Sequence, residues 1–504
     1  MPVINLLQAA HSELSFFKKV TIMELFKSNP YNILIPVEET KEFLLFNTLT
    51  GGIEVLDGEE GVLLAELFCL SYFSRDSFGD KEYIFEYLQE REYILGESKN
   101  IVDVFEKYTA DNQFKNSGTI FLTIGTTITC NMGCPYCFEF VKPNHTLKDD
   151  KVKKQTVDYI EQIILNADRK IHTLSVTWYG GEPLINVKAI IDLSAGFIEL
   201  TKRHGVGYEA NIITNGIYLT AENVQTLIDC KVTSAQVTID GAKKEHEKKR
   251  PLKQKGGENY FKILKNLSVI PESLRINVRV NVDKEVADSI ENMLDDFNAF
   301  TIWPHKHRQF SFDPAWLRSY EEIKITDDVK ETRMHVDEFF EFKQNFRLSL
   351  VRRLNAWAKK NNSKRARLKW DLPKYQSTCA TWASPVSLVV DPNGFIHKCW
   401  ETIHDDSRAP SSVFESYNPE IFASYSSFNR YTHSPVCRNC KYLPVCDKIS
   451  CSHEAIKNTV PQCTEWKYKT ESYLREQYLR MKNEPDTIVA PESADAINTG
   501  HSNK

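Results

Sequence analysis

From Thr119 onward the chain alternates strand-like apolar runs with helix-length segments, and this alternation most narrows what it can fold into. The runs are Ile120–Ile124, Thr173–Trp178, Glu209–Ile213, Ala235–Ile239, Arg275–Val282 and Gln309–Phe312, separated by helical patterns such as Lys151–Leu165 and Val187–Arg203. Six strands alternating with helices predict an α/β fold with a parallel sheet. Six units are too few for a closed eightfold barrel, so an open, partial (β/α)6 barrel is expected. Just past the first run stands Ile128-Thr-Cys-Asn-Met-Gly-Cys-Pro-Tyr-Cys-Phe-Glu139, and just past the second stands Thr177-Trp-Tyr-Gly-Gly-Glu-Pro-Leu184. Both motifs therefore fall at the C-terminal edge of the sheet, where α/β folds build their sites. The C-x3-C-x2-C spacing of Cys130, Cys134 and Cys137 suits three corners of an iron–sulfur cube and leaves the fourth iron open for something exchangeable. Spacing alone leaves a zinc site or reduced core thiols as alternatives.

Bulk properties exclude several classes. The chain has 504 residues, 41% hydrophobic and 26% charged, which is ordinary globular composition with room for two to four domains. Its formal net charge of -5, with Lys and Arg scattered, gives no broad basic stripe, so no nucleic-acid partner is expected. No apolar run approaches the roughly 18–20 residues of a membrane helix. With no export signal, the 12 cysteines read as thiolate ligands in a reducing, cytoplasmic compartment.

Together, the cysteine triad and Gly180-Gly181-Glu182-Pro183 resemble the radical S-adenosylmethionine (SAM) superfamily. That resemblance implies a [4Fe-4S] cluster on Cys130, Cys134 and Cys137, whose open iron is chelated by the SAM amine and carboxylate. Groups around Gly180, Gly181 and Glu182 would receive the amine, since glycines permit close approach and a carboxylate complements an ammonium. Tyr136 stands at the aromatic position that packs near adenine in the family. The third and fourth strands end in Ile213-Thr-Asn-Gly216 and Gln236-Val-Thr-Ile-Asp-Gly241, which makes Thr214, Asn215 and Thr238 candidate SAM neighbours; as residues they could equally be turn formers.

Seven more cysteines crowd the C-terminal region. Cys379-x14-Gly394-x4-Cys399 followed by Cys437-x2-Cys440-x5-Cys446 resembles the SPASM extension of peptide-modifying radical SAM enzymes, which carries two auxiliary [4Fe-4S] clusters. The resemblance would put Cys379, Cys399 and Cys451 on the first cluster and Cys437, Cys440, Cys446 and Cys463 on the second. Four residues separate Cys446 from Cys451 where the usual spacing is three, and no eighth cysteine completes the first set. Structural zinc is the rival, although zinc does not explain the Gly394-x4-Cys399 element. Cys69 and Cys230 read as buried small hydrophobes, and His246, among charged residues, as a solvated side chain.

Before the barrel, Tyr31–Glu38 and Glu42–Asn47 look like a hairpin, and Glu59–Cys69 and Lys81–Leu95 like two helices. They resemble the winged-helix domain that binds the leader segment of ribosomally made peptides as an added strand; a simple cap on the barrel would look similar. The expected domains are 1–110 for leader recognition, 115–312 for the barrel, 313–376 for a non-catalytic helical bridge, 377–475 for SPASM and 476–504 for a flexible tail. The implied activity is reductive SAM cleavage and hydrogen abstraction from a precursor peptide to install a cross-link, thioether favoured, with a flavodoxin or ferredoxin-type reductant. An anaerobic sulfatase maturase is an alternative, but that family usually has Asp where Trp400 follows Cys399. A non-catalytic peptide-binding iron–sulfur scaffold is another.

Overall fold

A computed structural model describes residues 24–112, 117–137, 144–254, 257–317, 331–451, 456, 463–483 and 488–489. The chain divides into two compact units near residue 106. In the first, β1 (Leu25–Ser28), β2 (Asn32–Val37), β3 (Glu42–Asn47) and β4 (Ile53–Leu56) precede α1 (Gly58–Leu67), β5 (Phe73–Ser74), α2 (Tyr83–Glu90) and β6 (Ile94–Gly96). These strands form two antiparallel sheets, β2-β3-β4 and β5-β1-β6. Asp57 and Glu60 close a capping box on α1 by accepting each other's backbone N–H groups. The expected second helix stops at Glu90, because Glu92 takes a left-handed φ of 60° and Tyr93 turns the chain into β6. Cys69 is exposed, not buried, since α1 ends at Leu67 and leaves it past the last turn. Helix α3 (Ile101–Asn112) carries the boundary between the units.

The second unit contains the expected six-fold alternation. Strands β7 (Thr119–Thr127), β8 (Thr173–Gly180), β9 (Gly207–Thr214), β10 (Val232–Thr238), β11 (Arg275–Val282) and β12 (Phe310–Trp316) pair in sequence order, all parallel. Between them run α4 (Asp150–Asn166), α5 (Val187–His204), α6 (Ala221–Asp229), α7 (Lys243–Lys249), α8 (Tyr260–Ser268) and α9 (Lys284–Ala299). Asp149, Thr220 and Asp283 cap α4, α6 and α9 through their side-chain oxygens. Ile120, Val176, Ile212, Val237 and Val278 from the sheet meet Ile160, Phe197, Leu264 and Met293 from the helices in one core. The result is an α/β fold whose six parallel strands fit a partial barrel.

Beyond β12, within the stretch expected to be a helical bridge, lie α10 (Val336–Lys360) and β13 (Leu368–Lys369). A hairpin then returns to the barrel. Its first strand, β14 (Leu388–Val390), lies parallel to β7, and β15 (Phe395–His397) and β16 (Ser411–Ser412) extend the sheet to nine strands. Gly394 makes that turn possible: its φ is 91°, and a Cβ would stand 2.8 Å from Val413. Helix α11 (Trp466–Asn483) follows, and β17 (Ile488–Val489) pairs with β13. Residues 476–483, placed in the tail by the sequence reading, belong to α11, where Gln477 and Tyr478 are buried. The rest of that tail, apart from β17, lies outside the described residues.

Candidate active site

The chain leaves β7 directly into the cysteine loop. Gly181 and Glu182 donate their backbone N–H groups to the carbonyls of Thr127 and Thr129, at 2.9 and 3.1 Å, so the end of β8 lies flat against that exit. Only glycine fits there. A Cβ on Gly180 would stand 2.1 Å from the Thr127 oxygen, one on Gly181 2.4 Å from that of Ile128, and Gly180 has a φ of 125°.

Glu182 is fully buried, and its carboxylate is already occupied by protein donors. One oxygen accepts from Thr214 Oγ1 at 2.8 Å and the Leu184 N–H at 3.1 Å, and the other from the Asn215 N–H at 2.8 Å. Burial raises its pKa, and the donors from Asn215, Thr214 and Leu184 oppose the rise. Through these bonds Glu182, expected beside a ligand amine, also holds the β9 loop in place. Asn215 then reaches across with Nδ2 to Asn131 Oδ1 at 2.7 Å, joining that loop to the cysteine loop.

Cys130, Cys134 and Cys137 line one cavity of about 840 Å3, together with Gly180, Gly181, Thr214, Asn215 and Thr238. Tyr136 lines it too, with its hydroxyl engaged: it donates to Asp240 and accepts from Arg250 Nη1 at 2.7 Å. Burial pushes the Cys134 thiol up to about 11; Arg250 pulls it back, and the neighbouring Cys137 and Cys130 add to the rise. His246, expected in solvent, is buried instead. Helix α7 turns it inward, where Nδ1 accepts from the Asp240 N–H at 3.1 Å and the ring packs on Tyr260, so desolvation keeps it neutral.

The opposite wall was not anticipated. Strand β11 contributes Arg279 and Asn281, and β12 contributes Asp313, which pairs with Arg279. Their signal was present in the strict alternation of Arg275-Ile-Asn-Val-Arg-Val-Asn-Val282, where every second residue is polar. Helix α10, expected to be a plain bridge, sends Phe339, Lys343 and Arg347 into the cavity. Lys343 and Arg347 face Glu465 and Asp371 at 3.6 and 3.7 Å. Trp400, 37% exposed, lies against Tyr179 with ring centroids 5.3 Å apart, and both border the same space.

Residues 124–297 match the sequence model of the Radical SAM superfamily. The barrel segment, about a third of the chain, therefore carries the sequence pattern of that superfamily. Among solved structures, a histidine-tagged anSMEcpe with bound AdoMet superposes with a TM-score of 0.51 at 15% identity, covering 74% of this chain and 100% of that one. Native anSMEcpe with bound AdoMet and the Cp18Cys peptide gives 0.50 at 14% identity, covering 73% and 99%. At these identities the likeness establishes the fold. SuiB of Streptococcus suis bound to the precursor peptide SuiA matches more loosely, at a TM-score of 0.45 and 14% identity over 87% of this chain and 98% of that one.

The match of residues 124–297 implies a SAM and [4Fe-4S] cofactor system, and the donor set suits it. Three thiols share one short loop, the Met132 N–H points at Cys130 Sγ at 3.4 Å, and the buried Asn131 Nδ2 has no partner among the described residues. Spare donors beside thiolates suit an anionic cluster. Among the described residues no three His, Cys, Asp or Glu side chains converge on the position of a single metal ion.

The C-terminal cysteines sit on short turns. Cys399 follows β15, and burial pushes its thiol up, with Glu401, Cys451 and Cys379 adding their fields. Lys398, buried beside it, donates to the carbonyls of Ser384 and Ser387, both at 2.6 Å; burial pulls its pKa to about 7 against the Cys379 field. Cys440 donates its N–H to the Cys437 carbonyl at 3.0 Å, and Cys446 donates to that of Leu443 at 3.3 Å. Lys467 donates to Cys463 Sγ at 3.4 Å and also lies in the field of Cys440.

Proposed function

We propose that this radical SAM enzyme modifies a ribosomally made precursor peptide, installing an intramolecular cross-link, with a thioether from a cysteine favoured. The observation that carries the reading is the shared cavity: the cysteine triad, the glycine pair and the β9 and β10 strand ends face Trp400, the neighbour of Cys399, across one space. Its volume lies high in the range of ligand sites, roughly 300–1,000 Å3, which leaves room for a substrate side chain beside a nucleoside. When bound there, SAM and the Cys130, Cys134 and Cys137 cluster supply reductive cleavage and a carbon radical that removes hydrogen. Gly180 and Gly181 would offer their backbone to the SAM amine, and Thr214, Asn215 and Thr238, which line the same cavity, would border the nucleoside.

Auxiliary clusters would be held by Cys379, Cys399 and Cys451, and by Cys437, Cys440, Cys446 and Cys463. Cys451 and Cys379 both act on the Cys399 thiol, which supports the first grouping, and Lys467, which donates to Cys463 and lies in the field of Cys440, supports the second. A flavodoxin or ferredoxin-type protein is the proposed electron donor. The first unit, with its antiparallel β2-β3-β4 sheet, is proposed to bind the leader as an added strand. A partner peptide agrees with the peptide held by the similar anSMEcpe structure. Trp400, standing beside Cys399 in the cavity where the sulfatase maturases usually carry Asp, speaks against that alternative. Among the described residues no helix is long and apolar enough to cross a membrane.

Anaerobic reconstitution with SAM, a reductant and a cysteine-containing precursor peptide, sought among short reading frames beside this gene, tests the proposal. Mass spectrometry should show loss of two hydrogens per cross-link, with one cysteine protected from alkylation. A fully alkylatable peptide of unchanged mass, despite 5′-deoxyadenosine formation, would refute it.

A further inference from the structure

The segment after α7 is fastened to the cysteine loop along its length. The Gly133 N–H donates to the Pro251 carbonyl at 2.8 Å, the Lys253 N–H donates to that of Asn131 at 2.9 Å, and Met132 and Leu252 form an antiparallel bridge between them. Arg250 begins this segment, and its own carbonyl is held by Asn259 Nδ2 at 2.6 Å. Its guanidinium reaches the other end of the cysteine loop, donating from Nη1 to the Tyr136 hydroxyl at 2.7 Å, 3.8 Å from Asp240 Oδ2. Asn281 completes the arrangement: its N–H donates to Asp240 Oδ1 at 2.9 Å and its Nδ2 to Tyr136 at 3.4 Å. Arg250 Nε has no partner among the described residues, which leaves a buried donor on a charged group bordering the cavity.

We propose that Arg250 is a positioning residue for the iron–sulfur cluster of Cys130, Cys134 and Cys137: it clamps the loop through Tyr136 and fixes a positive charge beside Cys134. This rests on the radical SAM assignment of those cysteines. A buried cation next to the cluster stabilises the form carrying one more electron, because Coulomb interactions are strong where water is excluded. Lysine would keep the charge but not the planar guanidinium that places Nη1 at the Tyr136 hydroxyl.

The test is a redox titration of the full-length reconstituted protein, followed by the EPR signal that changes on adding SAM, together with the rate of iron release to a chelator. Arg250→Gln should shift the midpoint potential of that signal to a more negative value and release iron at least fivefold faster. Arg250→Lys should restore the potential but not the slow release. Tyr136→Phe, which keeps the cation and cuts the clamp, should leave the potential near wild type and speed release; it serves also if Arg250→Gln does not fold. Wild-type potential in Arg250→Gln, or wild-type release in Tyr136→Phe, would overturn the proposal. A wild-type protein with no SAM-sensitive signal would overturn the cysteine assignment itself.

Discussion

Glu182 shows how a motif residue can be held in place by the protein around it. Three protein donors converge on its buried carboxylate, so Glu182→Ala leaves the Thr214 hydroxyl and the Asn215 and Leu184 N–H groups unpaired inside the protein. Such loss costs about 2–4 kcal/mol, from roughly 1–3 kcal/mol per abandoned group with partial relaxation. The substitution should therefore lower the urea midpoint of the cluster-free protein and weaken SAM binding with the clusters still assembled. Reduced SAM affinity at an unchanged urea midpoint would restore the direct contact with the amine. The triad behaves differently: replacing Cys130, Cys134 and Cys137 by Ala should abolish 5′-deoxyadenosine formation and remove about one of three clusters by iron analysis. Retention of all the iron would place the clusters elsewhere.

At the scale of elements, the β14–β15 hairpin carries a pH dependence. Burial, helped by the charge of Asp406, pushes the Asp391 carboxyl from its ordinary 3.8 up to about 7 while it accepts from the Asn393 and Phe395 N–H groups. The folded hairpin therefore keeps a proton that the unfolded chain has released between those values. Its stabilisation is complete below about 3.8 and is lost as the pH rises through about 7. Amide exchange within residues 388–397, corrected for intrinsic rates, should show weaker protection at pH 8 than at pH 5, and Asp391→Asn should flatten the difference. Equal protection at both pH values in the wild type would show that Asp391 does not govern the hairpin. Strand β11 and helix α10 make another point at this scale. The alternation of β11 announces an inward polar face, whereas Lys343 and Arg347 on α10 read as ordinary surface charges until the helix is placed over the cavity.

For the whole molecule, leader recognition and radical chemistry are proposed to reside in separable parts. Deleting residues 1–110 should abolish binding of the precursor peptide, read by fluorescence anisotropy, while peptide-independent SAM cleavage continues in a folded truncation. Full peptide affinity in that truncation would remove the recognition role from the first unit. The sequence by itself determined the strand–helix alternation, the parallel sheet and the placing of both motifs at its C-terminal edge. Those features are written in local periodicity, and in residue types such as Gly180 and Cys130 whose constraints act over a few neighbours. Only the tertiary structure decided that β14 would join β7, bringing Trp400 against Tyr179, and that Glu182 would face protein donors. It also decided that Arg250 would meet Tyr136, 114 residues away. Contacts of that range depend on which surfaces are left to bury after the sheet has formed, and no local pattern of residues encodes them.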